Sequence, residues 1–532
     1  MEENKSVKQQ SFLQGAAVLA AATIIVKIIG AIYKIPLKGI IGDEGYGYFS
    51  TAYDIYSVLL MISTTGLPVA MSRMISEARA LDNHAQIRKI FSVSLRVFLL
   101  IGVLGSLGML VFCRQLSVMV TKFDTSWAAI AVLAPSVLLI CIISAFRGFF
   151  QGQSNMTPTS VSQVFEALCK LFIGLAAAWL IMRTTNDATI GAGGAILGVT
   201  IGCVVSVLFL WRCYRRASAG LPVSGTAKST RSTIGQLLSI AVPITLGSAG
   251  LQIINLADTM VFMRRLVGAV GMTQLEAEVA KGIYNFSQTI FNLPCAFITP
   301  ITISIIPAIT AHLTLHNDQR AGMVESSAMR ITGLVAMPCA FGLCCLSTPI
   351  MNLFGYEGAA LTTAGSIMAY LGIAVIFNSL VLVTNAMMQA HGDVTTPVIH
   401  MIIGGVVKVV LNYFLVAVPQ LNIVGVSMGT VICYALITVL NVTAMIRRII
   451  NPKAFLGLGK PLLAGALMGA CAFMIHGFLI AHLPGKLACV AAIGAAAVIY
   501  VILVLAFRVI TYDDCMLLPG GKKIAKILRI RQ

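Results

Sequence analysis

Phe149-Phe-Gln-Gly-Gln-Ser-Asn-Met-Thr-Pro158 and Met387-Met-Gln-Ala-His-Gly-Asp-Val-Thr-Thr-Pro397 are two copies of one passage, each followed by a lysine, Lys170 or Lys408, nineteen residues after its glutamine. A second echo precedes each copy: Pro68-x-x-x-Ser72 returns as Pro300-x-x-x-Ser304. Two matches in one order, at an offset of about 235 residues, mark an internal duplication. An offset that spans six hydrophobic segments, an even number, keeps both copies in one membrane orientation. The expected pseudo-twofold axis therefore runs along the membrane normal.

Around these passages the chain is apolar. Of its 532 residues 58% are hydrophobic and 11% charged, with a mean hydropathy of +0.92, too little polar surface for a soluble domain. In hydrocarbon every backbone donor and acceptor must be satisfied within the structure, and long apolar runs without period-two alternation favour helices over a barrel. The expected fold is all-α and polytopic, with about fourteen transmembrane helices: two six-helix lobes and a C-terminal helix pair. At about 20 apolar residues per crossing, spans are expected near 12–33, 48–70, 91–113, 127–150, 159–182, 191–211, 234–263, 282–311, 330–354, 363–388, 394–417, 423–446, 461–482 and 486–510. The domains are then an N-lobe at 1–222, a cytoplasmic linker at 223–233, a C-lobe at 234–450, and the last two spans with a basic tail at 451–532. Kinks are expected at Pro68, Pro135, Pro243, Pro294, Pro300 and Pro338.

The net charge is +18, and most of the 37 lysines and arginines fall in the termini and even-numbered connections. Arg212, Arg215, Arg216, Lys228 and Arg231 lie in one such connection, Arg447, Arg448, Lys453 and Lys460 in another, and Lys522, Lys523, Lys526, Arg529 and Arg531 in the tail. The positive-inside rule places that side in the cytoplasm, with both termini. The basic clusters read as topology determinants meeting anionic membrane lipid. They carry no nucleic-acid signature, so no nucleic-acid partner is expected. The polar residues 1–10 lead into an apolar run without a small-residue cleavage pattern, so the first span is expected to be retained.

Catalytic chemistry has little support in the sequence. There is no nucleotide-binding G-x-x-x-x-G-K-[ST] loop, no H-E-x-x-H and no G-x-S-x-G, and an enzyme is not expected. Thirteen cysteines sit mostly in apolar runs without a C-x-x-C pair and read as small buried hydrophobes. Glycine clusters such as Gly191/Gly193/Gly194/Gly198 read as close helix packing.

Ionisable groups inside spans are the default functional positions: Lys27, Asp54, Arg96, Glu166, Lys170, Asp258 and Lys408. Glu166 and Lys170, four apart, are expected to pair along one helix, and Arg96 to snorkel toward the cytoplasmic interface. Lys27 and Asp54 either pair between helices or present a cation to a cavity. Asp258 lacks a cation within a helical turn. It is either protonated or a ligand, and the reading preferred is a cation site of Asn255, Asp258, Thr259, Gln389 and Asp393, with Na+ or H+ as the coupling ion and no other cofactor or metal.

Gly30, Gly42-Asp-Glu-Gly-Tyr-Gly47, Gly66-Leu-Pro-Val-Ala-Met-Ser72, the Gln-Gly-x-x-x-x-Thr-Pro turn and its second copy together resemble the stage V sporulation protein B branch of the multidrug/oligosaccharidyl-lipid/polysaccharide exporter superfamily, across the whole chain. That branch is similar to the lipid II flippases. The resemblance implies two six-helix lobes around a central cavity and two extra helices bearing a lipid-facing groove. It also implies an undecaprenyl-pyrophosphate-linked glycan precursor flipped outward by alternating access, for cell wall, spore cortex or polysaccharide, with cell-wall synthases as partners. Lys27 corresponds to the basic residue of the flippases' first helix and Lys34 lies one place from the second; with Asp54 and Arg73 they are the candidate substrate-binding residues of the cavity. The chain departs from the flippases at Leu60, at Asp54 and at the neutral Gln288-Thr289 before Pro294, which implies a less positive cavity. Two rivals stand beside this reading: a cation-coupled exporter of organic cations on the same architecture, and a non-transporting membrane scaffold for wall synthesis.

Overall fold

The structure is a computed structural model that describes residues 12–219, 225–448, 455 and 457–510. Among the described residues every regular element is helical, as obligatory backbone pairing in hydrocarbon requires. Eleven helices are long and apolar enough to cross a membrane. Two further helices, α1 (Phe12–Thr64) and α10 (Gln274–Thr314), occupy the remaining three expected intervals.

Contacts divide the chain into two compact units, residues 1–285 and 286–532. The first holds α1, α2 (Gly66–Ala80), α3 (His84–Val111), α4 (Cys113–Thr121), α5 (Trp127–Gly152), α6 (Thr157–Cys169), a π-helical turn (Lys170–Gly174), α7 (Leu175–Thr185), α8 (Ala188–Ala219), α9 (Thr230–Gly268) and the start of α10. The second holds the rest of α10, α11 (Asp318–Cys345), α12 (Ser347–Leu353), α13 (Gly358–Ala390), α14 (Thr395–Leu415), α15 (Val424–Arg448), α16 (Gly459–Leu479) and α17 (Gly485–Ala506). The duplicated sequence places the second lobe's start at 234, whereas by packing α9 stays with the first unit against α1 and α2. Of the linker, Asn83 Nδ2 donates to Thr226 O at 2.9 Å and Lys228 N to Gln86 Oε1 at 2.7 Å, which hold it on the start of α3. Residues 223–224 of the linker, and Lys453 and the basic tail from 511 onward, lie outside the described residues.

The duplication is visible in local geometry, unit by unit. In the first unit Gln153 N, Ser154 N and Asn155 N donate to Phe149 O, Gln151 O and Phe150 O; in the second, His391 N, Gly392 N and Asp393 N donate to Met387 O, Gln389 O and Met388 O. The left-handed position of this turn is Ser154 in one copy and Gly392 in the other, the residue best suited to it. A second pair of turns agrees. Asp82 and His316 both have φ 52°, Asn83 and Asn317 both cap the next helix through a side-chain oxygen, and those helices, α3 and α11, are both 28 residues long.

The prolines of the spans do not end the helices that contain them. α5, α9 and α11 contain Pro135, Pro243 and Pro338 within their lengths, while Pro68 sits in the first turn of α2, where its missing N–H is tolerated. The break that matters for the site is at Gly42, with φ 69° and ψ extended, which kinks α1 into two arms. Beside it α10 comes so close that a Cβ on Gly282 would lie 1.9 Å from Asp43 O, and one on Gly47 2.6 Å from Glu278 O. Only glycine permits this approach, which presses Glu278 and Lys281 onto α1.

In the second unit α16 and α17 form the expected hairpin. Met468, Ala472, Cys489 and Ala492 bury against Leu346 and Ile350, and Gly465 and Gly469 close onto Met337 and Phe341 of α11. The opposite side of the pair keeps Phe473, Met474, Phe478 and Val498 exposed, an apolar face suited to lipid.

Candidate functional site

The polar groups of the first unit gather in three linked places. At the first, the π turn begins at Lys170 and widens the helix by a residue, a distortion frequent at functional sites. The expected Glu166–Lys170 pair does not form. Glu166 Oε1 instead accepts from Arg147 Nη2 at 2.7 Å, and Arg147 also donates to Ser162 Oγ at 2.8 and 3.0 Å. A guanidinium fork from a neighbouring helix satisfies a carboxylate and a hydroxyl together, which an ammonium one helical turn away cannot.

Lys170 is left to aromatic rings. Its Nζ lies 4.5 Å from the ring centre of Tyr53, 4.9 Å from Tyr33 and 5.8 Å from Phe49. The rings hold one another, with Phe49 and Tyr53 at 4.8 Å, and buried Tyr33 donates to Ala195 O at 3.0 Å. Ring faces attract a desolvated ammonium by about 2 kcal/mol without cancelling its charge. Among the described residues Lys170 has no ion-pair partner.

The third place lies where the second arm of α1 meets α9 and α10. Lys281 Nζ stands 3.5 Å from Asp54 Oδ2 and also donates to Thr51 Oγ1, while Asn285 Nδ2 donates to Ser50 Oγ at 2.7 Å. The Thr259 hydroxyl and the Asp258 carboxylate of α9 also face Asp54. Lys34 lies within electrostatic reach of both Asp54 and Lys170, joining the two places.

Residues 12–312, more than half of the chain, match the family described as polysaccharide biosynthesis protein. The chain belongs to that family. Residues 243–414 also match the MatE family, which agrees with membership of the multidrug/oligosaccharidyl-lipid/polysaccharide exporter superfamily. Lipid II flippase MurJ of Bacillus subtilis (strain 168) is 26% identical over 91% of this chain and 93% of its own length. Stage V sporulation protein B of the same organism is 25% identical over 96% and 98%. A solved structure of lipid II flippase MurJ in an inward closed conformation superposes with a TM-score of 0.70 at 15% identity, over 94% of this chain and 100% of that one, so the fold is shared.

In this polysaccharide biosynthesis family member the residues expected at the site separate. Lys34 and Asp54 belong to the cluster. Lys27 is exposed on the first arm of α1. Arg73 is exposed on α2 in an i, i+4 pair with Glu77 at 3.0 Å, a solvated arrangement worth little. Of the expected cation ligands, buried Asp258 and Thr259 and exposed Asn255 lie on α9 of the first unit. Gln389 ends α13 of the second unit exposed, and Asp393 accepts from Thr396 N at 3.0 Å at the start of α14.

Three groups escape a reading of the sequence. Arg147 sits near the end of its span, where a basic residue is ordinary. Lys281 precedes the expected span 282–311 by one residue, yet α10 starts earlier, at Gln274, and leaves both Lys281 and Glu278 0% exposed. The stretch Gln288-Thr289 before Pro294 is neutral as read, and α10 carries its buried cation two turns earlier, at Lys281. The aromatic box had a signal in Phe49-x-x-x-Tyr53, two rings on one helix face one turn apart.

Proposed function

We propose that this protein moves an undecaprenyl-pyrophosphate-linked glycan precursor outward across the bacterial plasma membrane by alternating access of its two lobes, through fourteen spans with both termini cytoplasmic. The observation that carries the reading is Lys170, an ammonium deep in an apolar helix held by three rings instead of a carboxylate, with Lys34 as its neighbouring cation. A diphosphate leaving water needs cations that are not already neutralised, and such contacts strengthen where water is scarce. The names of the relatives point the same way, to lipid II and to sporulation. The exposed apolar face of α16 and α17 suits a prenyl tail, and anionic lipids and cell-wall synthases are the further partners proposed.

The match to the MatE family keeps organic-cation export as the second reading. Against it stands Asp54, whose carboxylate is engaged by Lys281 and does not offer an unneutralised anion to a cationic drug. The test is transport in vesicles carrying the purified full chain. Labelled prenyl-diphosphate sugar should cross between leaflets, and Lys170→Met should weaken its binding by about 10- to 100-fold, the worth of one charge-assisted contact. Transport of an organic cation with no movement of the prenyl-diphosphate sugar would replace the reading with its rival.

A further inference from the structure

Glu278 lies outside the groups that face the proposed cargo, yet it is fully buried. It sits in the first turns of α10, and its surroundings come from three elements. From α1 come Glu44 and Tyr48, whose hydroxyl donates to Glu44 Oε1 at 2.5 Å. From the end of α4 and the connection after it come the hydroxyls of Thr121 and Thr125, with Lys122 and Asp124 exposed beside them. From α10 itself comes Lys281, shared with Asp54.

Two features of this place are at odds with an ionised Glu278. Neither of its carboxylate oxygens accepts a hydrogen bond, whereas buried carboxylates are ordinarily paired or bonded. Further, the Thr121 hydroxyl directs its own proton to the carbonyls of Ser117 and Phe123, both at 3.1 Å, and so offers Glu278 only lone pairs. Thr121 therefore gives a carboxylate no proton to accept, whereas a carboxylic acid can donate to its oxygen. The charges agree. Lys281 is one ammonium shared by two carboxylates, Asp54 and Glu278, and Lys34 and Asp258, one of each sign, also lie near Asp54. Glu44 adds a further negative group beside Glu278.

We propose that Glu278, with Lys281 and Asp54, forms a binding site for one exchangeable proton in the first unit. The proton adds to one Glu278 oxygen, converting it from acceptor to donor toward Thr121 or Thr125, and on release it returns to water and leaves Lys281 facing two ionised carboxylates. A proton suits the place better than a sodium ion, because the ammonium of Lys281 already occupies the position next to both carboxylates and repels a second cation. The inference goes beyond the transport reading, and its readout needs no cargo.

The experiment is infrared difference spectroscopy of the purified full-length protein across a pH titration. It follows the carbonyl stretch of protonated carboxylic acid. The wild type should show such a band that disappears as pH rises, and Glu278→Gln should lack it. Asp54→Asn leaves Lys281 and Glu278 as a balanced pair and should also remove most of the band, although Glu278 is intact. Thr121→Val removes an acceptor and should move the band to the frequency of a less strongly bonded acid. A band that survives in Glu278→Gln, or is unchanged in both Asp54→Asn and Thr121→Val, overturns the proposal. So does a wild-type band abolished by sodium at constant pH, which would make the place a sodium site.

Discussion

At the scale of single residues, an ionisable group in a membrane protein is defined by its partner. Glu166 reads as the mate of Lys170 in the sequence, yet its mate is Arg147 on α5, and the two consequences differ. Arg147→Met should leave a carboxylate without its guanidinium and destabilise the protein by about 3–5 kcal/mol, the usual effect of breaking a buried pair from one side. Arg147→Met/Glu166→Gln together should recover most of that loss in denaturant or thermal unfolding of the detergent-solubilised protein. Lys170 should behave oppositely. Losing it removes about 2 kcal/mol of ring attraction while relieving the desolvation of an ammonium, so Lys170→Met should stay folded even where transport fails. The contrast separates a structural charge from a functional one.

At the scale of elements, the duplicated turns do the same job twice. Asn83 accepts from Gln86 N at 3.0 Å and Asn317 from Arg320 N at 3.1 Å, each satisfying an orphan donor at a helix start. Asn83→Ala and Asn317→Ala should each cost about 1 kcal/mol. Asn83 should cost more in the same unfolding measurement, since its amide also holds the linker through Thr226 O. The π turn is the element without a copy: α14 runs through Lys408 as a regular α-helix. The two repeat lysines, nineteen residues after matching glutamines, therefore stand in helices of different pitch.

At the scale of the whole molecule, the parallel repeat makes a topological prediction. Single cysteines at Leu81 and Leu315, the exposed tips of the matching turns, should react with an impermeant thiol reagent from the same side of the membrane. One at exposed Asp124 should react from the other side. Labelling of Leu81 and Leu315 from opposite faces would refute the parallel arrangement.

Helical class, membrane residence and the duplication were determined by the sequence alone, because they rest on composition and periodicity, which local physics reads directly. Part of the candidate cluster was legible as well: Asp54 and Lys170 are charges in apolar runs, and such charges announce themselves, whereas Lys34 came only through the family resemblance. Their partners were not. Arg147 and Lys281 sit near span ends, where a basic residue is ordinary, and only helix packing turned them inward. Glycines at 47 and 282 set how closely α10 approaches α1. The widened turn at Lys170 was equally hidden, since no sequence rule distinguishes it from the helix on either side. Energies of ion pairs and ring contacts depend on distances between helices far apart in the chain, and those distances exist only in the tertiary structure.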